Sequence, residues 1–472
     1  MLSKVEFDTG KVEFGEEGEL PNIAETRINA FVFHFSRLMM VMGEAGVFCM
    51  NFSVPIPSNI ALARIQPTVP QLLWHIAGFL CIASMASLVA WGNDAFSLID
   101  ARVSLLSIIA FAYFGALWAN SRMLQHPVRD GTKLIFASVG IAFLIALVVV
   151  VFGRFYYSRS FLLTAFLMSL SWQWLGFWFL DKTKLCLAVI PGKMVEALLR
   201  LRAAEWVVLA KPTGTVTAAG IVIETETARE PQWVRFLAEC ALRGIPTYDA
   251  VLVYEAMTGR VSLTQNHENL AEQCTPPSLY LTVKQMMDVV LIVASLPVVL
   301  PLIGLIALII RLDSGGPAFF WQDRVGKSGK IFSMVKFRTM QINGRLYSPQ
   351  FAETEDHRIT RFGRWLRRFR LDELPQIWNV LMGDMSLIGP RPEQVPFAQI
   401  FTLEIPLYPC RQLVKPGISG WAQVNHGYAS GQEETRTKLA YDLYYVKRCS
   451  FWLDALIALR TFRTVITGYG AR

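Results

Sequence analysis

The sequence predicts a mainly α-helical membrane protein in which a four-helix transmembrane region precedes two α/β segments. Three observations carry this. Of 472 residues, 53% are apolar and only 17% charged, beyond ordinary globular usage. Four nearly uncharged apolar runs follow one another between Leu72 and Leu180. From Leu185 the pattern changes to short β-like runs that alternate with helical stretches.

The apolar runs are Leu72–Trp91, Val103–Ala119, Leu134–Phe152 and Phe161–Leu180. Each has about the 20 residues that a helix needs to cross a bilayer. The earlier stretch Phe31–Val54 contains His34, Arg37 and Glu44, and is expected outside the bilayer. The loop Asn93–Asp100 is acidic, whereas Arg122, Arg129 and Lys133 follow the second run and Lys182, Lys184 and Lys193 follow the fourth. That asymmetry predicts both ends in the cytoplasm, although Arg154 and Arg159 oppose it. Acidic residues near the N-terminus argue against a cleaved signal peptide. Targeting then rests on the spans themselves.

Between Leu185 and Gln265, strands are expected over Cys186–Ile190, Trp206–Leu209 and Gly220–Ile223, with a helix over Pro231–Leu242. Pro191-Gly192-Lys193 follows the first strand without a G-x-G-x-x-G pattern, so this loop is not expected to hold a nucleotide. A fifth apolar stretch, Val289–Ile310, is long enough to cross, but Pro297 and Pro301 remove backbone donors in its middle. A fifth crossing would also put everything after it outside the cytoplasm. A helix that enters, breaks at the prolines and returns is therefore expected, with Ser295 or neighbouring helices satisfying freed carbonyls.

The formal net charge of +8 comes with no zinc-ligand spacing and no basic low-complexity arm. Anionic lipid and phosphate substrates fit it better than nucleic acid does. Seven cysteines are scattered with no C-x-x-C pair, and read as reduced packing residues.

The polar motifs concentrate after the fifth apolar stretch. Lys336-Phe337-Arg338-Thr339-Met340 puts two cations on one side of a β-like segment. Ile359, Phe362, Leu366 and Phe369 fall at helical spacing with Arg361, Arg364, Arg367 and Arg368 on other faces. Such a helix suits either a phospholipid interface or a soluble core with a basic outer face. Next stands Leu371-Asp372-Glu373-Leu374-Pro375, with the proline where first helical turns carry one. Carboxylates at the positive end of a helix dipole are favoured as anions, which suits a nucleophile or a Mg²⁺ ligand. In isolation such a pair is ordinarily a cap.

Further strings supply context: Gly383-Asp384-Met385-Ser386-Leu387-Ile388-Gly389-Pro390-Arg391-Pro392, Lys415-Pro416-Gly417-Ile418-Ser419-Gly420-Trp421-Ala422-Gln423-Val424-Asn425, and Tyr441-Asp442-Leu443-Tyr444-Tyr445-Val446. Together with Gln322-Asp323-Arg324-Val325-Gly326, they resemble the polyprenyl-phosphate hexose-1-phosphate transferases, the bacterial sugar transferases that initiate exopolysaccharide, capsule and O-antigen synthesis. The resemblance covers Lys284 to the C-terminus. The chain departs from the family pattern at Leu300-Pro301, where members often have Ser-Pro, and at Asn425-His426-Gly427-Tyr428.

The resemblance implies an N-terminal cytoplasmic segment (1–70), four transmembrane helices (71–181) and a degenerate Rossmann-like α/β domain (182–282). An α/β catalytic domain would follow (283–472), with a re-entrant helix at about 286–312 and amphipathic interfacial helices. It further implies a multi-pass protein of the bacterial inner membrane with its catalytic domain on the cytoplasmic face. Hexose-1-phosphate would pass from a UDP-hexose to undecaprenyl phosphate, with release of UMP, through a covalent aspartyl intermediate. On matching positions Asp372 would be the nucleophile and Glu373 a ligand of the cofactor Mg²⁺. Lys336, Arg338, Arg358 and Arg391 are candidate phosphate partners, and Asp442 a candidate for the metal or uridine site. The expected partners are UDP-hexose, undecaprenyl phosphate and membrane lipid, with a homodimer as a candidate assembly and no nucleic acid. The competing readings are an inactive scaffold, a lipid-linked sugar transporter and a glycosyltransferase that would release UDP rather than UMP.

Overall fold

A computed structural model describes residues 69–94, 100–127, 131–180, 185–201, 204–213, 216, 218–224, 227–263, 274–341, 359–426 and 432–467. The stretch Phe31–Val54 and Arg358 lie outside them. Five of the described helices are long and apolar enough to cross a membrane.

Four of these are α1 (Val69–Trp91), α2 (Asp100–Met123), α3 (Gly131–Phe152) and α4 (Arg159–Leu180). They contain the four expected runs. The helices pack as a bundle in which α1 lies on α4, α4 on α3 and α3 on α2. Ile82, Tyr113, Val139 and Phe161 are its buried centre. Inside it, Asn120 Nδ2 donates to Gln173 Oε1 at 2.8 Å, and Ser138 Oγ donates to Asn120 Oδ1 at 2.6 Å. Polar side chains bonded across helices hold a bundle where lipid outside is as apolar as the core. Phe111 and Phe152 face outward almost fully exposed, as lipid-facing residues do.

The central part contains β1 (Leu185–Val189), α5 (Val195–Leu199), β2 (Ala204–Val208), β3 (Ile221–Ile223), α6 (Pro231–Leu242), β4 (Thr247–Asp249) and α7 (Ala250–Thr258). The strands form one parallel sheet in the order β2-β1-β3-β4. Alternation along β1 sends Leu187 and Val189 to one face, with Leu198 and Val253, and Ala188 to the other, with Trp233 and Phe236. Helix α6 has the predicted bounds because Pro231 pre-sets its first turn. The expected strands are each displaced by a residue or two. Glu224 Oε1 accepts from Met194 N at 2.5 Å, so a carboxylate of the chain itself fills the loop around Gly192.

Helix α8 (Ser278–Ser314) runs uninterrupted through Pro297 and Pro301. The break expected at the prolines is therefore not a break in the helix. Ser295 Oγ donates to Ile292 O at 2.8 Å, rather than to the Val293 carbonyl that Pro297 deprives of its donor. Both ends of α8 are fixed to the same C-terminal part. Near the start, Lys284 Nζ lies 2.5 Å from Asp454 Oδ2, and Asp288 Oδ2 accepts from Ser386 Oγ at 2.5 Å. Ile292 then packs with Phe332 and Val380, and Ile306 and Ile310 pack with Phe337 and Leu366.

The rest comprises β5 (Phe319–Val325) and β6 (Ile331–Phe337), an antiparallel hairpin; α9 (Arg361–Arg368); a 3₁₀ turn over Leu371–Gln376; and α10 (Ile377–Leu381). Then come β7 (Ser386–Ile388), α11 (Val395–Glu404), β8 (Gly417–Ser419), α12 (Trp421–Asn425), α13 (Gln432–Arg448) and α14 (Phe451–Thr467). Strands β7 and β8 are parallel, and the backbones of Gly389 and Gly417 touch so closely that a Cβ on either would strike the other.

The Trp421 to Asn425 string is a joint between parts of the chain. Trp421 Nε1 donates to Gly259 O at 2.9 Å, Arg460 stacks on the Trp421 ring, and Arg460 Nη2 donates to Pro127 O at 2.9 Å. Lys447 pairs with buried Glu255 on α7 at 2.9 Å. The described cysteines are free thiols.

Candidate active site

Asp372 and Glu373 lie on the 3₁₀ turn Leu371–Gln376. This corrects the expected helix start: Pro375 sits inside the turn, and α10 behind it has only five residues. A helix dipole contributes little there. Cations gather instead. Arg391 Nη2 donates to Glu373 Oε1 at 2.7 Å, and Arg370 Nη1 lies 3.9 Å from Glu373 Oε2. Arg370 precedes the turn at φ 54°, a left-handed conformation that costs about 1 kcal/mol or more for a residue with a Cβ.

Burial raises both carboxyls, but neighbouring charges send their net shifts in opposite directions. Desolvation, reinforced by the neighbouring Glu373 charge, raises Asp372 to about 6 against the pull of Lys336, Arg367 and Arg391. Burial thus opposes the ionised form of Asp372 and the cations favour it, with a net rise. Glu373 is also desolvated, but Arg391 and Arg370 outweigh this and hold its carboxyl below the usual value. Two adjacent carboxyls are thus set apart, which is how paired acids acquire different roles. Lys336 is itself lowered to about 8, first by burial and then by Arg324, with Asp372 opposing.

Strand β6 delivers Lys336 to the dyad. Arg338, two residues on, is placed elsewhere: its Nη2 donates to Ser314 Oγ at 2.9 Å and to Gly315 O at 2.5 Å, closing the end of α8. Its Nε and Nη1 are buried with no hydrogen-bond partner among the described residues. Helix α9 starts at Thr360, whose Oγ1 accepts from Gly363 N at 2.8 Å, and brings Arg367 towards Asp372 while Arg367 Nε bonds Thr339 Oγ1 at 2.9 Å. Leu366 is buried and Phe362 packs beside it, whereas Trp365 is exposed, so α9 has an inner and an outer apolar side among its arginines.

Asp442 is about 1% exposed and accepts from Arg411 Nη2 and Nε at 2.8 and 3.1 Å. It is linked towards the dyad through Arg411, whose Nη2 also donates to the Arg391 carbonyl at 2.7 Å. Arg367, Arg370 and Arg411 were not singled out for the site by the sequence. The first two could have been found from their nearness to Asp372 in the chain; Arg411 carries no local signal.

Among the described residues no group of three or more His, Cys, Asp or Glu could hold a metal ion. The carboxylates present fit a cation held differently. Mg²⁺ is commonly bound through one or two carboxylates together with substrate phosphates and waters, and Glu373 and Asp372 offer that donor set.

Residues 279–468 match a family model described as bacterial sugar transferase. Over 409 residues the chain is 38% identical to a UDP-N-acetylgalactosamine-undecaprenyl-phosphate N-acetylgalactosaminephosphotransferase of Aeromonas hydrophila, covering 85% of this chain and 96% of that one. A UDP-glucose:undecaprenyl-phosphate glucose-1-phosphate transferase of Xanthomonas campestris pv. campestris is 44% identical over 186 residues, 39% of this chain and 38% of its own. The enzyme of the same description from Escherichia coli K12 is 39% identical over 188 residues, 39% of this chain and 40% of its own. With a carboxylate pair ringed by cations at the foot of an apolar helix, and a relative matched along nearly its whole length, the chain belongs to the bacterial sugar transferases.

Proposed function

We propose that this protein transfers a sugar-1-phosphate from a UDP-hexose or UDP-N-acetylhexosamine to undecaprenyl phosphate, releasing UMP. The observation that carries this is the Asp372–Glu373 turn, with an ionisable Asp372 beside Lys336, Arg367 and Arg391. An Asp372 oxygen attacks the sugar-bearing phosphorus, and the bond from that phosphorus to the bridging oxygen breaks, so the electron pair leaves with UMP. A lipid phosphate oxygen then attacks the same phosphorus, returning the Asp372 carboxylate and giving undecaprenyl-diphospho-sugar. Lys336 and Arg391 counter the charge of the phosphoryl oxygens. Glu373 would hold Mg²⁺, which supplies charge neutralisation at the diphosphate. Asp442 supports the site through Arg411. Arg338, buried at the end of α8, fixes that end through Ser314 and Gly315 rather than facing a phosphate.

Similarity over 85% of the chain to an N-acetylgalactosaminephosphotransferase makes UDP-N-acetylgalactosamine the first donor to test, beside UDP-glucose and UDP-galactose. With undecaprenyl phosphate and detergent-solubilised enzyme, one of these donors should release UMP and form lipid-linked sugar diphosphate. Release of UDP would instead make it a glycosyltransferase.

The site is assigned to the cytoplasmic face of the inner membrane, with α8 dipping into one leaflet. The packing of α8 supports this. Lys284 and Asp288 near its start and Ser314 at its end bond the C-terminal part, while Val298 and Leu300 between them are exposed. A helix crossing about 30 Å of hydrocarbon could not lay both ends on one domain confined to one side. Topology reporters placed after Leu185 and at the C-terminus should therefore both report cytoplasm; a periplasmic signal at the C-terminus alone would exclude the re-entrant arrangement.

A further inference from the structure

Each carbonyl from Pro390 to Glu393 is held by a donor from another element. Pro390 O accepts from Gly417 N at 2.9 Å, and Glu393 O accepts from Val325 N at 3.0 Å. Between them, Arg391 O accepts from Arg411 Nη2 at 2.7 Å, and Pro392 O accepts from Arg324 Nη1 at 3.0 Å. Prolines at 390 and 392 have fixed φ and no N–H, so this segment is gripped through its oxygens. Both gripping guanidiniums are buried.

Arg411 is itself fixed. Its Nε and Nη2 lie on Asp442 Oδ2, and its Nη1 donates to Tyr408 Oη at 2.9 Å. Arg324 Nη2 donates to Gln322 Oε1 at 2.7 Å. Glu393 balances the charge: it is desolvated, yet Lys438 and Arg411 hold its carboxyl down to about 2. Burying two guanidiniums is costly, and two peptide carbonyls could be satisfied by water at less cost. What the burial secures is the backbone from which Arg391 reaches Glu373.

We propose that Arg411 and Arg324 are positioning residues, which lock the two peptide groups following the Arg391 Cα and so aim its guanidinium at the transferring phosphoryl group. This rests on the reading of Asp372, Glu373 and Arg391 as the active site. Lysine at 411 keeps the charge but loses the Nε bond to Asp442 and the Nη1 bond to Tyr408, which together fix the plane from which Nη2 holds the Arg391 carbonyl.

The test is a double-mutant cycle on the full-length enzyme, with kcat and KM for the donor read by UMP release and unfolding temperature followed in parallel. Arg411→Lys should lower kcat roughly 100-fold, the scale of a misplacement of about 1 Å, with a much smaller change in KM. The Arg391→Lys/Arg411→Lys double variant should be no slower than Arg391→Lys alone, because Arg411 acts through Arg391. Losses that multiply, or a lowered unfolding temperature with kcat unchanged, would mean that Arg411 only stabilises the fold, and overturn the proposal. An Arg391→Lys variant of full activity would overturn the site reading and the proposal together. Arg324→Lys, acting on the neighbouring carbonyl, repeats the cycle if Arg411→Lys does not fold.

Discussion

Asp372→Asn should leave the protein folded and unable to form a sugar-phosphoryl adduct, lowering turnover at least about 10³-fold. The amide is nearly isosteric with the carboxyl, and the Arg391–Glu373 contact beside it is untouched. Without lipid acceptor, the native enzyme should release UMP in stoichiometric amount and retain radiolabelled sugar-phosphate, and peptide mapping should find the label on Asp372. The variant should do neither, and added Mg²⁺ should not help. Glu373→Gln makes the contrast, since a lost metal ligand lowers affinity without deleting the attacking atom, so its activity should climb with Mg²⁺. The same reading fixes a pH dependence. Asp372 must be ionised to attack, and burial raises it to about 6, so kcat/KM should fall as pH drops through about 6 rather than near the ordinary value of 3.8. Label on Glu373, or single-displacement kinetics with no adduct, would overturn the assignment.

The dyad was legible because its members are adjacent and sit among recognisable strings. Its environment was not. A dipole at an exposed helix start would favour the anion, whereas the chain folds a 3₁₀ turn into a site where burial raises Asp372 against the surrounding cations. The four apolar runs and the helix Pro231–Leu242 could be read because each is a local pattern with a local cause. The Asp442–Arg411 pair, 31 residues apart, has no such signature. Nor does the Arg324–Pro392 contact, 68 residues apart. Pro297 and Pro301 misled in the other direction. Each removes one helical hydrogen bond, yet packing against Phe332, Val380, Phe337 and Leu366 before and after them keeps α8 continuous.

That packing makes the anchorage of α8 the place where a single change should cost most stability. Asp454 Oδ2 receives Lys284 Nζ at 2.5 Å and Tyr280 Oη at 2.6 Å, while its Oδ1 receives Tyr445 Oη at 2.8 Å. Tyr445 Oη also donates to Ile388 O at 3.2 Å, so the cluster connects the membrane helix to the strand that leads into Pro390-Arg391-Pro392. Lys284 and Asp454 are both buried. Asp454→Ala therefore strands an ammonium and the Tyr280 hydroxyl without an acceptor, leaving Tyr445 only Ile388 O, and a buried pair broken on one side typically costs about 3–5 kcal/mol. In a domain of this size that corresponds to a fall in unfolding temperature of roughly 10 °C, read on the detergent-solubilised chain. Replacing both partners distinguishes lost attraction from a stranded charge. Lys284→Met with Asp454→Leu removes both ions and should recover most of the loss, because apolar pairs of similar volume often match a buried ion pair. Recovery should be incomplete, since the Tyr280 hydroxyl still loses its acceptor; adding Tyr280→Phe should narrow the gap. If Asp454→Ala alone leaves the unfolding temperature unchanged, the cluster does not carry the junction, and α8 is held by its apolar contacts.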